Sequence, residues 1–153
     1  MTLAINRNRF LMAGSVAGLA LNGMNMLKNA IVPAFGNRWA AALEHLGIDL
    51  PSQMQNPVSL TLFLAISTVY GFFAAWLYAA AVPRFGEGLP TALRIGVALW
   101  IIGYLAPMAG YALLGLFPIS LVLFSAPFSL VEFSLCAILV SMIYRDHPQP
   151  TRF

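Results

Sequence analysis

Charge is what this sequence has least of: only 8% of its 153 residues are Asp, Glu, Lys or Arg, about a third of the share in an ordinary soluble domain. A water-soluble monomer is excluded. Cysteine is scarcer still, with Cys136 alone, so no disulfide can form within the chain and the residue reads as a small apolar packing group. Histidine occurs only at 45 and 147, both outside the apolar runs, so one chain cannot hold a haem between two histidines inside the membrane. Also missing are a Gly-rich phosphate loop, H-E-x-x-H and G-x-S-x-G, the commonest catalytic signatures. No cofactor is expected, and an enzyme is the least favoured class. The basic residues form no cluster with interleaved aromatics, which argues against nucleic acid as a partner.

What the chain does have is hydrophobic length. Residues of the apolar classes make up 60% of it, concentrated in runs at 10–33, 58–82, 91–115 and 119–144, and each run reaches the ~20 residues that cross ~30 Å of hydrocarbon. The expected fold is all-α: an integral membrane, four-helix antiparallel transmembrane bundle forming a single domain over 1–153, with the lipid bilayer as its first partner. Too little chain remains for a second, soluble domain. Proline marks the boundaries: Val32-Pro33 and Val82-Pro83 end the first and second spans, Asn56-Pro57 opens the second, and Pro90 and Pro118 open the third and fourth. The turns at 83–90 and 115–118 pair neighbouring spans as hairpins. Val32-Pro33-Ala34-Phe35-Gly36 recurs as Val82-Pro83-Arg84-Phe85-Gly86. An inverted repeat of the transporter kind would space segments this way, but a shared helix stop with an interfacial aromatic is the simpler reading. Arg7 and Arg9 before the apolar stretch 10–21 also fit a signal peptide, yet the helical pattern runs on to Pro33, which favours a retained helix.

Orientation follows from arginine. Arg7 and Arg9, Arg84 and Arg94, and Arg145 and Arg152 lie on three segments of one side, against Arg38 on the other, so the positive-inside bias puts both termini in the cytoplasm. The expected home is the bacterial cytoplasmic (inner) membrane. The outer segment 34–56 carries Trp39, Leu43 and Leu46 on one helical face, the pattern of a short interfacial helix capping the mouth of the bundle. Glu44, His45 and Asp49 lie nearby, but one histidine with two carboxylates is a weak metal signal, and no metal is expected.

Polar residues inside spans carry the functional information, because hydrocarbon offers them no partner. At 100° per residue Gly14, Gly18, Asn22, Asn25 and Asn29 share one arc of span 1, with Lys28 at its edge. Small residues there permit close helix approach, and three amides beside a lysine exceed what helix packing needs. Glu132 sits near the middle of span 4 with Ser125, Ser129 and Cys136 on its face. Counted inward from the span ends, Glu132 lies ~20 Å deep, Lys28 only ~7 Å, and Asn22, Tyr70 and Tyr104 ~16–18 Å. The expected partners of Glu132 are therefore Asn22, Tyr70 and Tyr104, with Lys28 snorkelling to the outer interface. Ser67, Gly71, Ala74 and Tyr78 form the packing face of span 2; Gly96, Trp100, Gly103, Pro107 and Gly110 form that of span 3. Pro107 and Pro127 each remove a backbone bond and should kink their helices near the level of Asn25, opening a polar cavity on the outer half.

Two readings of function follow. The first is an accessory or assembly subunit of a larger membrane complex, whose partners are other membrane subunits or further copies of the chain. The alternative is a small oligomeric transporter or lipid/proton-handling protein built on Glu132 and the Asn22, Asn25 and Asn29 face. The topology is directly testable: in a Cys136→Ser background, Ser52→Cys should react with an impermeant thiol reagent added outside, and His147→Cys only after the membrane is opened. The opposite pattern refutes the orientation.

Overall fold

The computed structural model describes residues 6–144, so Arg145, His147 and Arg152 lie outside the described residues. Among the described residues all regular structure is helical: α1 (Arg7–Ile31), α2 (Pro33–His45), α3 (Leu50–Gln55), α4 (Pro57–Phe85), α5 (Leu89–Trp100), a π-helical segment (Ile101–Leu105), α6 (Ala106–Leu113) and α7 (Ile119–Ile143). Four helices are long and apolar enough to cross a membrane: α1, α4, the joined α5, π segment and α6, and α7. The helix starts use side-chain caps where the sequence offers them. Asn6 Oδ1 accepts from the Arg9 amide at 3.2 Å, and Asn56 Oδ1 accepts from Val58 at 2.9 Å, with Pro57 at the first helical position.

The two V-P-x-F-G stretches do not share a conformation. Val32 has φ −120° and ψ 78° and separates α1 from α2, and Pro33 then opens α2 with Gly36 inside it. Pro83, by contrast, lies within α4, which runs on to Phe85 and ends at Gly86 with φ 78°. The expected helix stop at Val82-Pro83 is therefore corrected. Pro83 falls in the last turn, where a missing amide removes one bond without interrupting a ladder beyond it. The turn that follows is closed by polar contacts: the Gly88 amide donates to Tyr78 Oη at 2.9 Å, and Thr91 Oγ1 to the Gly86 carbonyl at 2.8 Å.

α4 and α7 are apolar over most of their surface, so hydrophobicity alone does not choose their contact faces; small residues do. A Cβ on Gly71 would run into the backbone of Gly14 and Gly18, and one on Gly18 would lie 2.6 Å from Thr68 Cα. α1 and α4 touch backbone to backbone here. At the α5–α7 contact a Cβ on Gly96 would lie 2.7 Å from Ser134 Cα. The core built on these contacts includes Ala13, Ala17, Leu21, Ala74, Tyr78, Leu99, Phe133 and Cys136.

Gly110 is a correction: a Cβ added there would meet nothing, although the helical wheel puts it on the packing face of span 3. The π segment lies between Gly96 and Gly110, and its wider turn breaks the 100° phase on which the wheel depends. Just downstream, Pro107 has no amide to offer the Gly103 carbonyl, which accepts a hydrogen bond from Tyr70 Oη at 3.3 Å instead. α7 continues through Pro127.

Gly71→Val should destabilise the protein by about 1–3 kcal/mol, because backbone cannot move aside as a side chain can. Gly110→Ala should leave stability unchanged or raise it by up to ~1 kcal/mol. Thermal unfolding in detergent compares them, and equal losses would contradict the packing described here.

Candidate functional site

The C-terminal half of α1 presents amides whose N–H groups are turned back onto their own helix. Asn25 Nδ2 donates to the Leu21 carbonyl at 3.2 Å, and Asn29 Nδ2 to the Asn25 carbonyl at 3.0 Å, the i−4 pattern open to short polar side chains. Their carbonyl oxygens are left to face outward. Asn25 Oδ1 accepts from Lys28 Nζ at 3.0 Å.

Lys28 Nζ lies 2.8 Å from Glu132 Oε1 on α7, with side-chain exposures of 11% and 12%. This ion pair overturns the expectation that Lys28 snorkels away and that Glu132 bonds Asn22, Tyr70 or Tyr104. The depth count took Pro33 as the outer end of the first span, but α2 carries the chain further out alongside the start of α7. Phe35 packs edge-on against Phe128 at 5.4 Å, and Trp39 against Phe117 at 5.3 Å between ring centroids. Phe35 and Phe128 thus share a level; Glu132 lies one turn beyond Phe128 on α7 and Lys28 one turn before the break at Val32, and two long side chains close the rest. Beyond the ion pair, Glu132 Oε1 has no aligned hydrogen-bond donor among the described residues, and the Lys28 ammonium also stands over the Phe35 ring at 4.1 Å.

The other expected partners are engaged elsewhere. Asn22 is buried and its Nδ2 reaches the Gly18 carbonyl at 3.2 Å and the Leu64 carbonyl of α4 at 3.4 Å, tying α1 to α4. Tyr70 bonds Gly103 as described, and Tyr104 Oη donates to Ser125 Oγ at 2.6 Å, whose own hydroxyl donates to the Leu121 carbonyl.

These residues nevertheless converge. A cavity of about 460 Å³ is bordered by Asn25, Lys28, Asn29, Tyr70, Tyr104 and Glu132, the size of a small-molecule site. Asn22 does not border it. Ser125 and Ser129, on the Glu132 face of α7, do. Much of the remaining wall is apolar, from Leu21 on α1, Phe63 and Ile66 on α4, and Phe133 on α7. Phe35, Trp39 and Leu43 of α2 and Leu50 and Met54 of α3 complete it. Sequence reasoning had Trp39 and Leu43 on an amphipathic face but missed Phe35, and the signal was present: an aromatic two residues past a helix-opening proline, whose ring meets the Lys28 ammonium. Trp39 Nε1 is buried without an acceptor among the described residues. Glu44, His45 and Asp49 form no metal cluster: among the described residues no three His, Cys, Asp or Glu side chains are grouped to hold one, and Asp49 instead accepts from the Ser52 hydroxyl.

Lys28→Met and Glu132→Leu, each alone, should destabilise the protein by about 3–5 kcal/mol, by leaving a buried charge unpaired. The double variant should recover most of that loss. Unfolding of all three in detergent gives the cycle, and additive losses would mean that the two side chains do not depend on each other.

The chain matches no known protein family, no characterised protein and no solved structure, so its chemistry has to be read from the cavity itself.

Proposed function

We propose that the protein is a small transporter or lipid-handling membrane protein that takes an amphiphilic molecule into the cavity between α1, α2, α4 and α7, with Lys28 and Glu132 as the polar anchor. The observation that carries this reading is the division of the cavity surface. Amide, hydroxyl and charged groups from all four long helices gather around one ion pair, and apolar side chains form most of the rest of the wall. An assembly subunit whose helices only pack against partners would be served better by a filled core. In this reading the four spans run antiparallel in a bacterial inner membrane, with both termini cytoplasmic as the arginine distribution favours. α2 lies at the outer interface as the roof of the cavity.

One observation favours the other reading, an accessory subunit. The π segment and α6 bury no residue, Leu113 is 90% exposed, and Gly110 stands in open space. A helix of a partner subunit, or of a second copy, fits such a face through its small residues.

Gly36 allows the two to be separated. It faces the cavity, and a Cβ there would meet only Asn29, at 3.4 Å, so Gly36→Phe fills the space without disturbing the helix. Native mass spectrometry in mild detergent should find the wild-type chain, alone or as a homo-oligomer, retaining an amphiphile, and Gly36→Phe retaining about tenfold less. Recovery only within a heteromeric assembly, with no amphiphile bound, would favour the accessory reading and overturn this one.

A further inference from the structure

Lys28 and Glu132 border a second hollow as well. It holds about 390 Å³ between α1 and α7, and every other residue around it is apolar, among them Met24, Leu27, Ile31, Pro127, Val131 and Leu135. Leu27, Ile31 and Val131 are 58%, 68% and 56% exposed, so this groove opens on the outside of the helix bundle, the surface that acyl chains cover when the helices span a bilayer. The ion pair is thus a wall shared by the cavity among the helices and a groove on the outside of the bundle.

We propose that the Lys28–Glu132 pair is a lateral portal for a zwitterionic phospholipid, whose headgroup enters the inner cavity with its phosphate on Lys28 and its ammonium on Glu132 while an acyl chain stays in the groove between α1 and α7. The proposal rests on the cavity reading above and adds the ligand class and its route. Charge decides the class. Among the described residues, Lys28 and Glu132 are the only charged side chains bordering either hollow. An anionic ligand on Lys28 would strand the Glu132 carboxylate in an apolar wall, and a cationic ligand on Glu132 would strand the ammonium. A zwitterion parts the two side chains and pairs both again. Lys28 is prepared for the exchange, because Asn25 Oδ1 and the Phe35 ring hold its ammonium independently of Glu132. Trp39 Nε1, buried on the cavity wall with no acceptor among the described residues, is a donor suited to a phosphate or ester oxygen. The groove excludes a free headgroup as the natural ligand, since a molecule without a tail would leave that apolar surface unused.

The test uses the full chain in liposomes with trace phosphatidylethanolamine or phosphatidylglycerol, both carrying the same photoactivatable diazirine halfway along one acyl chain. Cross-linked peptides are mapped by mass spectrometry. Labelling should fall on 24–31 and 127–135 and be about tenfold stronger for phosphatidylethanolamine. Val131→Trp, which fills the groove without touching either charge, should cut labelling about tenfold while the melting temperature holds. The double variant Lys28→Met with Glu132→Leu should label with both lipids equally. Equal labelling by both lipids in the wild type, or preference for phosphatidylglycerol, overturns the proposal. So does displacement of the lipid by soluble phosphoethanolamine at an equal concentration. Labels confined to cavity residues such as Leu21 and Phe133, and indifferent to Val131→Trp, overturn the portal but leave the cavity reading standing, whereas absence of labelling at both places overturns both.

Discussion

A lysine and a glutamate that are each nearly nine-tenths buried in an apolar helical chain have to satisfy one another. Either charge left alone in such surroundings is opposed by a desolvation penalty of several kcal/mol, so the pair constrains where α1 and α7 can stand. Much of the structure at this end of the helices follows from it. Asn25 turns its carbonyl oxygen toward the ammonium, Phe35 lays its ring beneath it, and α2 is thereby drawn over the end of the bundle against Phe124 and Phe128.

The opposite requirement governs the N-terminal half of α1. There the chain has to bring two backbones together, and Gly14, Gly18 and Gly71 remove the side chains that would prevent it. The closest approach ends at Gly18. The cavity wall starts one turn further out, at Leu21, and continues through Asn25, Lys28 and Asn29. One helix thus serves two purposes by changing residue size along a single stripe: glycine where helices must touch, amides and a lysine where space and polarity are needed.

The spans, the glycine contacts and the polar stripes of α1 and α7 were legible in the sequence because they depend on local pattern: hydrophobic length, and which residues share a face. What could not be read depended on how one element stands against another. The Lys28–Glu132 contact was missed because depth was counted from helix ends, and nothing in the residues says that α2 carries the first span's level outward beside the start of α7. Gly110 was misplaced because a π turn leaves no composition signal, so the wheel was drawn in one phase across a segment that has two. Asn22 was assigned the wrong task, since its amide reaches the Leu64 carbonyl of a neighbouring helix instead. Val82-Pro83 misled for a simpler reason: a proline in the final turn of a helix and a proline just beyond it read alike.

The charges around the cavity sum to zero, and that has an electrical consequence. A membrane potential does work on net charge, ~2.3 kcal/mol for each elementary charge moved through 100 mV. Lys28 and Glu132 displaced together carry none, and neither does any ligand that replaces each at the other. In the proposed exchange a zwitterion adds no net charge, so its uptake would couple to a membrane potential only through the dipole change made when the two side chains part.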